Sequence, residues 1–259
     1  MSVIQRFQQA LTRREMLGIM GAAGVIAVVG CEDDEGPATT QTATGTATSS
    51  PATGTTPTAT GGTPAAVSCV LTPQQTEGPY FVDEKLNRAD IRSDPGSGAV
   101  KEGVVLRLNL AVYRVDGAAC TPLAGAIVDV WHCDALGVYS DVSGAGQSNT
   151  AGQKFLRGYQ VTDANGRVQF QTIYPGWYQG RTVHIHFKVR TDQGLEFTSQ
   201  LYFDEALSAQ VFAQAPYNTK GPSGTPNASD GIFSNETVLT ITPEGSGYVG
   251  TFNVGLQMA

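Results

Sequence analysis

An all-β sandwich with one short helix is the fold class predicted for this chain, and three observations predict it. Leu106, Leu108, Leu110 and Val112 alternate with Arg107, Asn109, Ala111 and Tyr113, the period-two pattern of a half-buried strand. Further short β-rich runs recur down to the C-terminus with Gly, Pro, Asn and Asp turns between them. Residues 205–214 form the one stretch with a convincing helical pattern.

Taken in order, the first strand is followed by a Gly-rich turn around Gly117 and a second predicted strand at 126–132. An Asn-Gly pair within 163–166 lies between two β-rich runs and predicts a hairpin. Four more strands are expected at 183–190, 196–203, 237–242 and 248–254. No internal repeat is present, and 259 residues suffice for one full-sized domain with appendages.

The appendages lie at the N-terminus. Thr12-Arg13-Arg14 precedes a charge-free apolar run over 16–30, shorter than the ~20 residues of a membrane span. Residues 1–31 therefore read as an export signal of the twin-arginine type. Val28-Val29-Gly30-Cys31 resembles the cleavage and lipidation box of bacterial lipoproteins, with Cys31 as the lipid carrier; plain secretory cleavage nearby is the alternative. Residues 32–66 are expected to be a disordered tether, because 36–66 contains twelve Thr and no charged residue and cannot bury enough surface to offset its ordering entropy. The β domain is placed at 67–259. The chain is thus expected to be exported, and either secreted or held at the cell envelope by its lipid.

A net charge of −7 disfavours nucleic acid as a partner and offers no basic surface to anionic lipid. With Cys31 assigned to lipid, Cys69, Cys120 and Cys133 remain, an odd number that implies one disulfide and one free thiol. Cys120 and Cys133 flank one predicted strand, further apart than the ~7 Å limit for bridging, so Cys69 is expected to be one partner and the other stays open.

Chemistry concentrates in His184-Ile185-His186. Alternate residues of a strand project from one face roughly 6–7 Å apart, so both imidazoles can reach one metal while Ile185, Phe187 and Val189 face a core. No Asp, Glu or Cys in the adjoining sequence completes a familiar zinc or ferrous site. Tyr139, beyond the Gly137 turn, and Tyr178, in Pro175-Gly176-Trp177-Tyr178, stand out instead. A phenol titrates near 10 and becomes a ligand only where a strongly Lewis-acidic cation holds it as phenolate. Phenolate oxygen with imidazole nitrogen suits ferric iron. The third histidine, His132, reads as structural.

The block from Asp129 through Trp131 to Tyr139, then Pro175-Gly-Trp-Tyr178 and Arg181-Thr-Val-His184-Ile-His186-Phe, resemble the signature segments of the intradiol ring-cleavage dioxygenases. Thr76-Glu-Gly-Pro-Tyr80 and Thr198-Ser-Gln200-Leu-Tyr-Phe203 match two more, in the same order. The resemblance implies a β-sandwich of the intradiol core type. It also implies an Fe(III) site with Tyr139 and His184 as equatorial ligands and Tyr178 and His186 as axial ones. Tyr178 would further accept a substrate proton, Arg181 would stand beside the substrate ring, and Gln200 would hydrogen-bond near it. The implied reaction cleaves a catechol with O2 between its two hydroxylated carbons, giving a cis,cis-muconate-type diacid without an external reductant. A signal and tether replace the N-terminal helical dimerisation region of the cytoplasmic members, so the oligomeric state is open. Thr182 replaces a common proline, which leaves the position of Arg181 open. A copper or zinc site, and a transthyretin-like anchored binding module without turnover, are the other readings the residues admit.

Overall fold

A computed structural model describes residues 70–144 and 148–258. The signal, the Cys31 lipidation site, the tether and Cys69 lie outside these described residues. In chain order the elements are β1 Val105–Asp116, β2 Ala119–Pro122, β3 Ile127–Trp131, β4 Arg157–Val161, β5 Arg167–Ile173, β6 His184–Arg190, β7 Glu196–Tyr202, α1 Glu205–Phe212, β8 Thr240–Glu244 and β9 Gly247–Gln257.

The strands form two sheets. One runs β2-β1-β9-β8 with β5 also paired to β1, and the other runs β4-β3-β6-β7. The alternation in β1 works as expected: Leu106, Leu108, Leu110 and Val112 are buried and join Phe170 of β5 against Val128 and Val130 of β3 and Ile185, Phe187 and Val189 of β6. Burial of each such side chain contributes roughly 1.5–3 kcal/mol, which makes this inter-sheet layer the main support of the sandwich. Helix α1 starts where Asp204 caps it, its carboxylate accepting from the Leu207 amide at 2.9 Å.

The second face of the four-stranded sheet is covered too. His184 through Val189 are all buried, so β6 is enclosed on both sides. The cover comes partly from the chain before β1. Phe81 packs on Trp131 with ring centroids 4.8 Å apart, and Thr76 O accepts from Gln200 Nε2 at 2.9 Å. Residues 86–91 instead pair along β4 and β5, Arg88 N donating to Tyr159 O at 3.1 Å and Ile91 N to Gln171 O at 3.0 Å.

Three sequence expectations need correction. The turn at 163–166 forms, with Gly166 N donating to Asp163 O at 2.9 Å. The strands on either side do not pair, however: β4 pairs with β3 and β5 with β1, so the turn is a corner between sheets. Gly166 is pressed onto β1, where Val112 N donates to its carbonyl at 2.7 Å, and this delivers Val168 and Phe170 to the β1 register. The Gly117 turn leads first into β2, a short hairpin partner of β1, before β3 begins. The strand expected at 237–242 starts only at Thr240, because Asn235–Thr237 forms a 3-10 turn.

The cysteine question is answered in part. Cys120, on β2, is disulfide-bonded. Among the described residues Cys133 is a free thiol, buried just beyond β3.

Gly166 has φ +72°, and a Cβ there would meet Val112 O at 2.3 Å. Gly166→Ala is therefore expected to destabilise the protein by about 2–3 kcal/mol in urea denaturation, combining left-handed strain with a backbone clash. A change within experimental error would show that the corner has room to move.

Candidate metal centre

His184 and His186 leave β6 on the face turned away from the inter-sheet core, as their spacing requires. In the sheet register His184 stands opposite Tyr202, while His186 lies between Trp131 on β3 and Gln200 on β7. The tyrosines arrive on two loops. Tyr139 follows β3 on a loop folded around Asp134, whose carboxylate accepts from the Leu136 and Val138 amides at 3.0 Å each. The Asp134 carbonyl accepts from Gly176 N at 3.0 Å, tying in the loop that carries Tyr178. Lys220 Nζ closes the junction by donating to Leu136 O and Trp177 O, both at 2.6 Å. Gly137, at φ +83°, passes so close that a Cβ would stand 2.1 Å from Trp177 O.

The four predicted side chains converge. Tyr178 Oη lies 3.2 Å, Tyr139 Oη 3.4 Å and His186 Nε2 3.1 Å from His184 Nε2. His184 Nδ1 donates to the Thr182 carbonyl at 2.7 Å, which puts the lone pair on Nε2, in the midst of the other three atoms. One lone pair cannot satisfy three polar neighbours. Donor atoms bound about 2.1 Å from a shared ion, at 90–110° to one another, sit about 3.0–3.4 Å apart, and these separations fit that arrangement. Among the described residues no group of three or more His, Cys, Asp or Glu side chains could hold a metal ion, so the phenols are needed to complete a donor set.

Burial sets the protonation states. It drives the His184 imidazole down to about 3, with the Arg181 charge adding to the effect. His186 is likewise held well below its ordinary value, first by burial and then by His184. Both rings are thus neutral lone-pair donors. The Tyr178 phenol is pushed up to about 12 by burial, against the opposing pull of Arg181, and burial also carries Tyr139 well above its ordinary value. Only a hard, strongly acidic cation would displace those phenolic protons at neutral pH.

Arg181 and Gln200 are also brought together, Arg181 Nη2 donating to Gln200 Oε1 at 2.5 Å. Gln200 is buried and its own amide donates to Thr76 O at 2.9 Å, so Gln200 holds Arg181 from one side. Asp230, which sequence reasoning missed, holds it from the other: Asp230 Oδ2 accepts from Arg181 Nε at 2.8 Å and from Thr182 N at 2.9 Å. A proline at 182 has no N–H to give, so Thr182 helps fix the arginine that its presence had left in question. Asp230 lies in no local motif, and only the fold brings it here. Tyr80 stacks on Tyr139, with ring centroids 4.5 Å apart, and so packs against the site. His132 is structural as expected, with Nδ1 near Cys133 O at 2.8 Å and Nε2 near Thr172 Oγ1 at 2.6 Å.

Fold and cluster together define a β-sandwich carrying a two-tyrosine, two-histidine centre on one outer sheet face. The sequence model of the Dioxygenase family matches residues 76–220. The structure of an intradiol ring-cleavage dioxygenase from Tetranychus urticae is 32% identical with a TM-score of 0.63, covering 73% of this chain and 95% of that one. Catechol 1,2-dioxygenase 1 of Acinetobacter lwoffii is 28% identical over 50% of this chain and 45% of its own length. The protocatechuate 3,4-dioxygenase beta chain of Burkholderia cepacia is 29% identical over 69% of this chain and 76% of its own. The chain belongs to the intradiol ring-cleavage dioxygenase family. It spans about half the length of the curated catechol dioxygenases it matches.

Burial raises the Asp230 carboxyl, but the Ile232 and Thr182 amides and the Arg181 guanidinium outweigh it and hold the group below its ordinary value. Its stabilising contribution is therefore complete above the ordinary carboxylate pKa and lost as the pH falls through the folded value. Asp230→Ala, which strands Arg181 half-buried without its carboxylate, is expected to cost about 3–5 kcal/mol at pH 7. The deficit should shrink below about pH 4. Urea melts of both proteins at pH 7 and pH 3 check this, and a deficit independent of pH would refute it.

Proposed function

We propose that this protein is a non-haem Fe(III) dioxygenase that cleaves catechol-type rings between the two hydroxylated carbons with O2, giving cis,cis-muconate-type diacids. The observation that carries this reading is the convergence of Tyr139, Tyr178 and His186 on the lone pair of His184, supported by membership of the family. Tyr139, Tyr178, His184 and His186 are the residues that would hold the iron. Iron(III), when bound, supplies the Lewis acidity that keeps the two phenols ionised and the electron-accepting character that opens an aromatic diol to O2.

The protein's own groups do the rest. Tyr178 is the more exposed of the two tyrosines, Tyr139 being fully buried, so Tyr178 faces an arriving substrate. Burial favours the protonated form of Tyr178 Oη whenever no cation holds it, which fits this oxygen to take up one catechol hydroxyl proton. Arg181, fixed between Asp230 and Gln200, supplies a positive charge where oxygen atoms of the ring gain negative charge. Tyr80 and Trp131 pack around Tyr139 and shield its ring from bulk solvent.

Export and anchoring are part of the same proposal. They rest on the Thr12-Arg13-Arg14 motif, the apolar run that follows and the small residues before Cys31. A ferric enzyme needing only O2 and a diol suits a compartment without cytoplasmic reductants.

Purified full-length protein is expected to contain iron, to show a visible tyrosinate-to-iron band that shifts with catechol under anaerobic conditions, and to consume O2 with catechol. Tyr139→Phe combined with Tyr178→Phe should abolish the band, and Arg181→Ala should lower kcat/KM by roughly 10²–10³-fold. Copper or zinc in place of iron, or colourless protein after iron reconstitution, would refute the reading. Cys31→Ser is expected to move the protein from the membrane fraction to the soluble exported fraction. An unchanged distribution would remove the lipid anchor.

A further inference from the structure

The two histidines of the centre are held differently. His184 Nδ1 has the Thr182 carbonyl at 2.7 Å. His186 Nδ1 is buried and has no hydrogen-bond partner among the described residues. Metal-binding imidazoles ordinarily donate their second N–H to a fixed acceptor, which sets the orientation of the ring. Against His186 the structure sets a flat surface instead: the Trp131 indole is stacked on it, with centroids 4.9 Å apart and planes 7° from parallel.

Trp131 belongs to a row that crosses the whole sheet. The register pairs Arg157 with Trp131, Trp131 with His186 and His186 with Gln200, so the four side chains share one face as direct neighbours. Arg157 is 2% exposed and donates from Nη2 to Ser140 O at 2.6 Å, and from Nε to Ser140 Oγ at 2.8 Å, beside Tyr139. Its Nη1 is left without a partner, as are Trp131 Nε1 and Glu84 Oε1, all three buried. The three residues line one small cavity of about 10 Å³. Buried polar atoms are costly to leave unmet, and a polar space of ~10–15 Å³ with two to four partners is what one internal water needs. An anion there would face Glu84, and a cation would face Arg157. Water can accept from both N–H groups and donate to the carboxylate.

We propose that a single buried water joins Trp131 Nε1, Arg157 Nη1 and Glu84 Oε1, and that the indole it anchors positions His186 in place of the missing second hydrogen bond. The positioning half rests on the reading of His186 as an iron ligand. Trp131 is thus a positioning residue: it acts through the imidazole and touches neither iron nor substrate. The water also links the strap carrying Glu84 to the strands beneath it.

The test combines a high-resolution crystal structure of the full chain with iron affinities, from chelator competition, and visible spectra for wild type, Trp131→Phe and Trp131→Leu. Expected are a water within hydrogen-bonding distance of all three atoms and a roughly 10–100-fold weaker hold on iron in Trp131→Leu, with a shifted charge-transfer band. Trp131→Phe, which keeps a ring but loses the N–H and is the variant better able to fold, should fall between Trp131→Leu and wild type. A dry cavity overturns the water site. Wild-type affinity and band in both variants overturn the positioning role. A wild-type chain that binds no iron at all would sink the dioxygenase reading and with it the positioning role, while the crystal structure would still decide the water.

Discussion

The register of β6 between β3 and β7 is the constraint on which the rest of this structure depends. A strand turns alternate side chains to opposite faces, so a slip of one residue would send both imidazoles into the inter-sheet core and Ile185, Phe187 and Val189 onto the site face. The apolar set forbids that slip, because it packs against β1 and β3 in a layer that holds the sandwich together. The hydrophobic pattern of the strand thereby places His184 and His186. The same register brings Trp131 and Gln200 to either side of His186.

A second constraint is that the site face is itself buried. Polar groups there need partners close by, and around Arg181 and His184 the structure supplies them with a chain of paired residues. Asp230 and Gln200 flank Arg181, Thr76 takes the Gln200 amide, and Thr182 serves His184 through its carbonyl and Asp230 through its N–H. The same burial keeps the imidazoles and the phenols neutral in the absence of a cation. A site of this kind is selective by default: a weak Lewis acid gains imidazole ligands but not phenolates.

The two tyrosines depend on loops, yet those loops behave as parts of the scaffold. Asp134 folds the first and accepts a hydrogen bond from the second, and Lys220 joins their carbonyls. The close approach at Gly137 leaves no space for the loops to separate and rejoin around a side chain. Tyr139 and Tyr178 therefore meet the histidines with the precision of strand residues.

Local pattern determined a good deal on its own. Period-two alternation marked β1, short β-rich runs between turn residues marked β3, β6, β7 and β9, and His184-Ile185-His186 announced a shared face, because all these signals are local to a single strand. The tyrosines were legible only through ordered motifs, since a lone Tyr has the same local signal in a core as in a metal centre. What the sequence could not decide was partnership across the chain. The Asn-Gly turn looked like a hairpin, but Gly166 docks on β1 and sends β5 to the other sheet. Cys120 rather than Cys133 is disulfide-bonded, a choice made by where β2 and the buried end of β3 come to lie. Asp230 finds Arg181, and Arg157 finds Trp131, only once the strands have paired. Alternation specifies which way a side chain points, and tertiary structure alone decides what it points at, because that depends on chain segments far away in sequence.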